Sequence, residues 1–272
     1  MPDDIIYGQK STLNPATLPG SEQRFNSRLN RAIQEDHLVL HYQPRFNSAT
    51  READIVEAFV RWQHPTSGLF YPDVFLAAAE KHGLIYNLDL WVFEQCCKDL
   101  IWLREHVDHK PRIAVNISVI VCESMYFAQK LISICDKYGL SFSDFEFEIT
   151  ESTHNRDIRK VRAFCETLGQ HGATFCLDDF GIGQSSLLNL CMLPVNLIKI
   201  DKSFVQMYEH DDRVQVMVQQ LVKMAHGMGL QVIAEGIEND TQCRAMIEIG
   251  CDQLQGFHLY RPDVKKKLRY TF

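Results

Sequence analysis

The sequence predicts an α/β protein, a modified (β/α)8 TIM-type barrel with an antiparallel first strand. Three observations lead there. Eight short runs rich in β-branched and aromatic residues alternate with longer amphipathic stretches. The 272 residues are close to the ~250 of one such barrel. Most of the runs hold a polar residue near their carboxyl end, where barrel enzymes place their chemistry.

The elements follow in order. Residues 1–20 hold Pro2, Gly8, Pro15, Pro19 and Gly20 among polar residues, with no apolar periodicity. They are expected to form a flexible leader or linker, ahead of one barrel domain over residues 21–272. Strands are expected at 38–46, 55–62, 112–118, 145–150, 174–180, 197–201, 231–237 and 253–257. Only residues 47–54 join the first two. That is too short for a crossover helix, so this pair should be antiparallel. Pro72 opens a helix that Gly83 closes, and Asn87 starts a long one through Trp91, Phe93 and Leu100. Gly139, Gly172, Gly229 and Gly250 sit where later helices should stop. Lys265, Lys266 and Lys267 read as a solvated tail or helix end.

Composition narrows the function. The net charge of −7 gives no reason to expect nucleic acid or an anionic membrane as partner. The nine cysteines are scattered without CxxC pairs, against both a disulfide framework and a zinc ribbon. They suit small buried apolar positions in a reducing cytoplasm. No signal peptide is expected, and no apolar run approaches the ~20 residues of a membrane span. None of the eleven histidines lies in an HExxH pattern. The DDFG segment lacks the glycine-rich loop a kinase would need.

The chemistry gathers at strand ends. In order they offer Glu57, Asn116, Glu148, the pair Asp178 and Asp179, Lys199, Glu235 and Gln255. One such acid alone would be a surface residue or a cap; the number of strand ends involved makes the case. Carboxylates that converge repel one another and are costly to bury. Hard divalent cations such as Mg²⁺ or Mn²⁺ relieve this, because they prefer oxygen ligands. With adjacent Asp178 and Asp179, one carboxylate is able to bridge two ions about 4 Å apart, the spacing that clamps a phosphoryl displacement. Lys199 would orient the attacking water or offset developing charge. Glu146 shares a face with Glu148 but lies deeper, and is expected to be salt-bridged and not catalytic.

The segments YQPRF, VEAFVRWQHP, AVNIS, FEITES, LDDFGIGQSS, IKIDKSFV, VIAEGIE and LQGF occur in that order. Together they resemble the motif series of the EAL family, cyclic di-GMP-specific phosphodiesterases, from Leu38 to Pro262. The resemblance implies a barrel with an antiparallel first strand. It implies an enzyme that hydrolyses cyclic di-GMP to linear pGpG with two Mg²⁺ or Mn²⁺ ions, and inhibition by Ca²⁺. Glu57, Asn116, Glu148 and Asp178 match the ligands of one metal. Asp178, Asp179 and Glu235 match those of the second. Lys199 and Glu235, with Glu57, match the catalytic group, and Gln43, Arg61 and Gln255 the substrate site. Glu151 matches a glutamate that anchors the loop running here from Asp179 to Ser186, which in the family couples dimerisation to metal binding. A homodimer is therefore expected, with regulation from an upstream sensor domain or a protein partner. Three positions depart from the pattern: Phe59 replaces the leucine of the name motif, Ile182 a small residue or threonine, and Gln184 an aromatic. The loop changes leave open a second reading, a catalytically weak cyclic di-GMP receptor or interaction module.

Overall fold

The computed structural model describes residues 21–108, 110–150, 156–182 and 186–271. The predicted leader lies outside them. In chain order the elements are α1 (Ser21–Gln34), β1 (Leu38–Asn47), β2 (Ile55–His64), β3 (Gly68–Phe70), α2 (Pro72–Lys81), α3 (Ile85–His106), β4 (Arg112–Ile117), α4 (Val119–Cys122), α5 (Met125–Lys137), β5 (Phe145–Thr150), α6 (Ile158–Gln170), β6 (Thr174–Phe180), α7 (Ser186–Met192), β7 (Leu197–Ile200), α8 (Lys202–Tyr208), α9 (Asp212–Gly227), β8 (Gln231–Ala234), α10 (Asp240–Glu248) and β9 (Gln253–Leu254). The chain divides into two compact units, residues 21–39 with 60–88, and residues 40–59 with 89 onward.

The smaller unit is organised around Trp62, which is buried. Its indole meets Phe25, Phe70 and Phe75 edge-on, at centroid distances of 5.4, 5.6 and 6.2 Å. Aromatic pairs favour this geometry because ring edges are positive and faces negative. Pro72 begins α2 at its first turn, where the missing N–H costs nothing. Strand β3 pairs antiparallel with the end of β2. Its run, Gly-Leu-Phe, is too short to stand out by periodicity and is absent from the predicted elements.

The larger unit holds the barrel. The strand order is β1-β9-β8-β7-β6-β5-β4-β2, closed by pairing between β1 and β2. Strands β2 and β4 to β9 run parallel. β1 is antiparallel to β9, with Phe46 opposite Leu254. The short first connection thus has the consequence expected of it. All four residues of β7 are buried, as in sheets covered on both faces. Helix α3 packs Phe93 against Phe145 and Phe147, with centroids 5.0 and 5.7 Å apart. It starts at Ile85, two residues before the predicted start at Asn87.

Strands β8 and β9 end three residues earlier than predicted, at Ala234 and Leu254. The cause is local. Gly236 turns the chain with φ +75°, and Gly256 lies against Ile237, whose N–H donates to the Gln255 carbonyl at 3.0 Å. Glu235 and Gln255 therefore follow their strands and do not belong to the ladders. A Cβ on Gly256 would fall 2.1 Å from the Ile237 carbonyl oxygen. We expect Gly256→Ala to destabilise the fold by about 1–3 kcal/mol. Gly169, late in α6, has open space and ordinary φ, so Gly169→Ala should stabilise by roughly 0.5–1 kcal/mol. Thermal unfolding of both variants checks the pair; equal melting temperatures would contradict the packing argument.

Candidate active site

The carboxyl ends of the parallel strands place the site. Glu57 comes from β2, Asn116 from β4, Glu148 from β5, Asp178 and Asp179 from β6, and Lys199 from β7. Asn116 and Glu148 sit opposite each other in the β4–β5 register. Glu235 and Gln255 follow β8 and β9, tied back by Glu235 N–H to the Ile200 carbonyl at 3.2 Å and Gln255 N–H to the Ala234 carbonyl at 2.9 Å. Because β1 runs the other way, its mid-strand residue Gln43, ahead of Arg45, reaches the same end.

These side chains meet. Glu57 Oε1 accepts from Asn116 Nδ2 at 2.8 Å. Glu57 Oε2 accepts from Lys199 Nζ at 3.0 Å and Gln255 Nε2 at 2.7 Å. Gln255 Nε2 also donates to Gln43 Oε1 at 3.1 Å, and Gln43 Nε2 to the Tyr260 carbonyl at 2.7 Å. Lys199 donates to Glu148 Oε2 as well, and lies 3.7 Å from Asp178 Oδ1. Below this layer Arg45 bonds Glu148 Oε1 at 3.0 Å and Glu146 Oε1 at 2.6 Å. Glu146 is thus salt-bridged at depth, as the sequence suggested.

Adjacent residues of a strand point to opposite faces, yet Asp178 and Asp179 reach the same place. The backbone explains how. The β6–β7 register shifts between Leu177 and Phe180, and Asp179 takes a left-handed φ of +55° while its N–H donates to Asp178 Oδ1 at 2.9 Å. The bulge swings both carboxylates to the mouth. Carboxylate oxygens of Asp178, Asp179 and Glu235 all lie within 4.8 Å of one another. An all-oxygen set this close fits a hard divalent cation.

The charges do not balance. Glu57, Glu146, Glu148, Asp178, Asp179 and Glu235 gather around Lys199 and Arg45, with Asp201 and Lys202 acting on Asp179 from the side. Proton affinities diverge accordingly. Burial raises the Glu57 carboxyl, but Lys199, Asn116 and Gln255 outweigh it and bring it down to about 2. Burial pushes Glu235 up to about 8, with Asp178 and Glu57 outweighed in part by Lys199. Asp179 rises to about 6 through burial and the charges of Asp178 and Asp201. Burial disfavours the Lys199 ammonium, yet Asp178, Glu148, Glu57 and Glu235 together raise it well above its ordinary range. The group titrates as a coupled set.

Of the predicted residues, Gln43, Glu57, Asn116, Glu148, Asp178, Asp179, Lys199, Glu235 and Gln255 belong to this one assembly. Arg61 lies in the smaller unit, its guanidinium 4.7 Å over the Tyr71 ring and its Nη1 donating to the Val60 carbonyl. Glu151 and Gln184 lie outside the described residues. Ile182 is 59% exposed, and its N–H donates to the Asp179 carbonyl at 3.4 Å. Two residues were missed. Arg45 was legible as a lone cation in an apolar strand, two positions from Gln43 and so on its face. Asp201, whose charge acts on Asp179, closes the strand expected at 197–201 and caps α8 by accepting from the Ser203 N–H.

The raised carboxyls fix a pH dependence. Glu235 and Asp179 bind protons more tightly folded than unfolded. Their contribution to stability is full below their ordinary values and is lost as pH rises through about 6 and then about 8. Glu57 acts oppositely, adding stability that disappears below its ordinary value toward about 2. With EDTA present, the melting temperature should fall by at least about 3 °C between pH 6 and pH 9, and Mn²⁺ should restore it most at pH 9. A flat profile would refute this charge assignment.

Comparison with known proteins agrees with this geometry. The EAL domain family model matches residues 26–262. The chain is 36% identical over 236 residues to the bifunctional diguanylate cyclase/cyclic di-GMP phosphodiesterase MucR of Pseudomonas aeruginosa, covering 86% of this chain and 34% of MucR. It is 34% identical over 241 residues to the cyclic di-GMP phosphodiesterase NbdA of the same organism, covering 89% of this chain and 31% of NbdA. The chain thus spans about a third of the length of these curated relatives. Among solved structures, the PaMucR phosphodiesterase in complex with c-di-GMP superimposes with a TM-score of 0.83 at 34% identity, over 90% of this chain and all of that one. The EAL enzyme Bd1971, bound to cAMP and cyclic di-GMP, gives 0.84 at 26% identity, over 90% of this chain and 67% of that one. Motif order, barrel topology and the acidic mouth point the same way, and the chain belongs to the EAL domain family.

Proposed function

We propose that this chain hydrolyses one phosphodiester bond of cyclic di-GMP to give linear pGpG, using two divalent cations, Mg²⁺ or Mn²⁺. The observation that supports this most is the acidic mouth itself. Glu57, Glu148, Asp178, Asp179 and Glu235 meet there around Lys199, above the Arg45–Glu146 pair, leaving an excess near that carried by two divalent cations. Glu57, Asn116, Glu148 and Asp178 would hold one ion; Asp178, Asp179 and Glu235 would hold the other, with Asp178 shared. When bound, the ions would polarise the phosphodiester and lower the proton affinity of water.

The chain's own residues do the rest. Lys199, held in place by Glu57 and Glu148, would orient the attacking water or offset developing charge without rearrangement. Glu235, whose carboxylate lies at the mouth beside Asp178 and Asp179, would take the proton from the attacking water. Water oxygen bonds to phosphorus, the bond from phosphorus to the 3′ oxygen breaks, and that oxygen leaves as a hydroxyl. The phosphate stays on the 5′ side, which defines pGpG. Gln43 and Gln255, locked to each other, with Gln255 also bonded to Glu57, would line the substrate. No observation favours the receptor reading, since every predicted ligand of the mouth is present.

The nine cysteines are free, which suits a reducing cytoplasm. Among the described residues, no helix is long and apolar enough to cross a membrane. A homodimer, and a sensor domain or partner as regulator, complete the reading.

Incubation with cyclic di-GMP and Mg²⁺ or Mn²⁺, followed by chromatography, should yield pGpG. Glu57→Gln, which keeps the side chain's size within the buried network of Asn116, Lys199 and Gln255, should lower turnover by at least about a hundredfold with the fold kept, since it removes a charged ligand. Undiminished turnover in that variant would refute the assignment. Replacing Mg²⁺ with Ca²⁺ should keep binding and suppress product, because Ca²⁺ takes longer, looser coordination. Equal rates in the two metals would argue against tight octahedral placement.

A further inference from the structure

Arg45 has no place in the reaction just described, yet it is buried at the barrel's centre. It stands on β1, 1% exposed, and the sheet order puts two strands between β1 and β5 on the shorter way round. Its guanidinium therefore crosses the barrel interior to bond two successive inward residues of β5. Nη1 meets Glu148 Oε1 at 3.0 Å and Nη2 meets Glu146 Oε1 at 2.6 Å. All three side chains are at most 1% exposed.

We propose that Arg45, held by Glu146, is a positioning residue that sets the affinity of the mouth for divalent cations by locking the orientation of Glu148. This rests on reading Glu148 as a cation ligand. A glutamate has three side-chain torsions, and an unpinned one must be ordered when it takes up an ion. Here one oxygen is tied downward to Arg45, so the other, Oε2, can only face up toward Lys199. Glu146 uses the guanidinium's second arm, which stops the fork from turning away. Stability alone does not account for such a triad. Buried ion pairs cost nearly as much to desolvate as they return, and apolar replacements are often neutral. Orientation of a ligand by outer partners is what an apolar replacement does not supply, and losing it typically weakens metal binding 10- to 100-fold.

The test uses the intact chain. Free Mn²⁺ is followed by electron paramagnetic resonance, melting is recorded in EDTA, and cyclic di-GMP turnover is measured against Mg²⁺ concentration. The variant Arg45→Met/Glu146→Leu removes the pair while leaving no lone charge behind. It should melt within a few degrees of the parent, bind Mn²⁺ roughly 10- to 100-fold more weakly, and need correspondingly more Mg²⁺ for half-maximal turnover. At saturating metal its kcat should recover to within about tenfold of the parent. Should it fail to fold, Arg45→Lys decides, since one ammonium reaches only one of the two carboxylates; a roughly tenfold weaker Mn²⁺ affinity is expected. A folded variant whose Mn²⁺ affinity stays within twofold of the parent would make Arg45 a purely structural residue. A parent that binds no Mn²⁺ would instead overturn the metal reading itself, and this inference with it.

Discussion

The structure depends on mutual repulsion of carboxylates at the open end of a barrel. Each acid alone would be accommodated by solvent. Brought together and covered, they require cations, and the chain supplies two. Lys199 stands among Glu57, Glu148 and Asp178, and Arg45 stands beneath them. Much of the local structure serves this arrangement. Amides from Asn116 and Gln255 donate to Glu57, and the strained backbone of Asp179 aims a further acid inward. Such a site holds free energy unfavourable to folding, offset by the aromatic and aliphatic packing around Phe93, Phe147 and Phe175.

The antiparallel first strand shapes the site as much as the acids do. In a strand parallel to the others, late residues would lie at the mouth. Reversal puts Gln43 there and Arg45 one step deeper, so a single strand delivers an amide to Gln255 and a cation to the floor. The Tyr42 hydroxyl, facing outward on the same strand, donates to Asp99 of α3 at 2.7 Å. Alternation along three residues thus divides labour between inside and outside.

Much of this was legible in the residues. Strand-helix alternation and the short 47–54 connection gave the barrel and its reversed strand, the polar strand ends gave eight of the site's residues, and the family resemblance added Gln43. What stayed hidden has physical reasons. Periodicity places Asp178 and Asp179 on opposite faces, and only a register shift invisible in the sequence unites them. The early end of β8 and β9 comes from close backbone approach at Gly236 and Gly256, which depends on residues distant in sequence. Arg45 was missed because its partners, Glu146 and Glu148, lie a hundred positions on.

The reversed strand also sets the order in which this molecule becomes whole. β1 pairs with β9, and its flanks are fastened by Tyr42 opposite Asp263 and Glu52 opposite Thr271. One edge of the first strand, the one away from β2, therefore waits for the last. In a sheet formed strand by strand, β1 already has β2 as a neighbour and later strands add beyond β4, so two edges stay open and the seam closes only when β9 arrives. Until then Gln43 has no Gln255 to meet, and the floor of the mouth has no finished wall. Assembly of the site is a late, long-range step, gated by loop closure across more than two hundred residues.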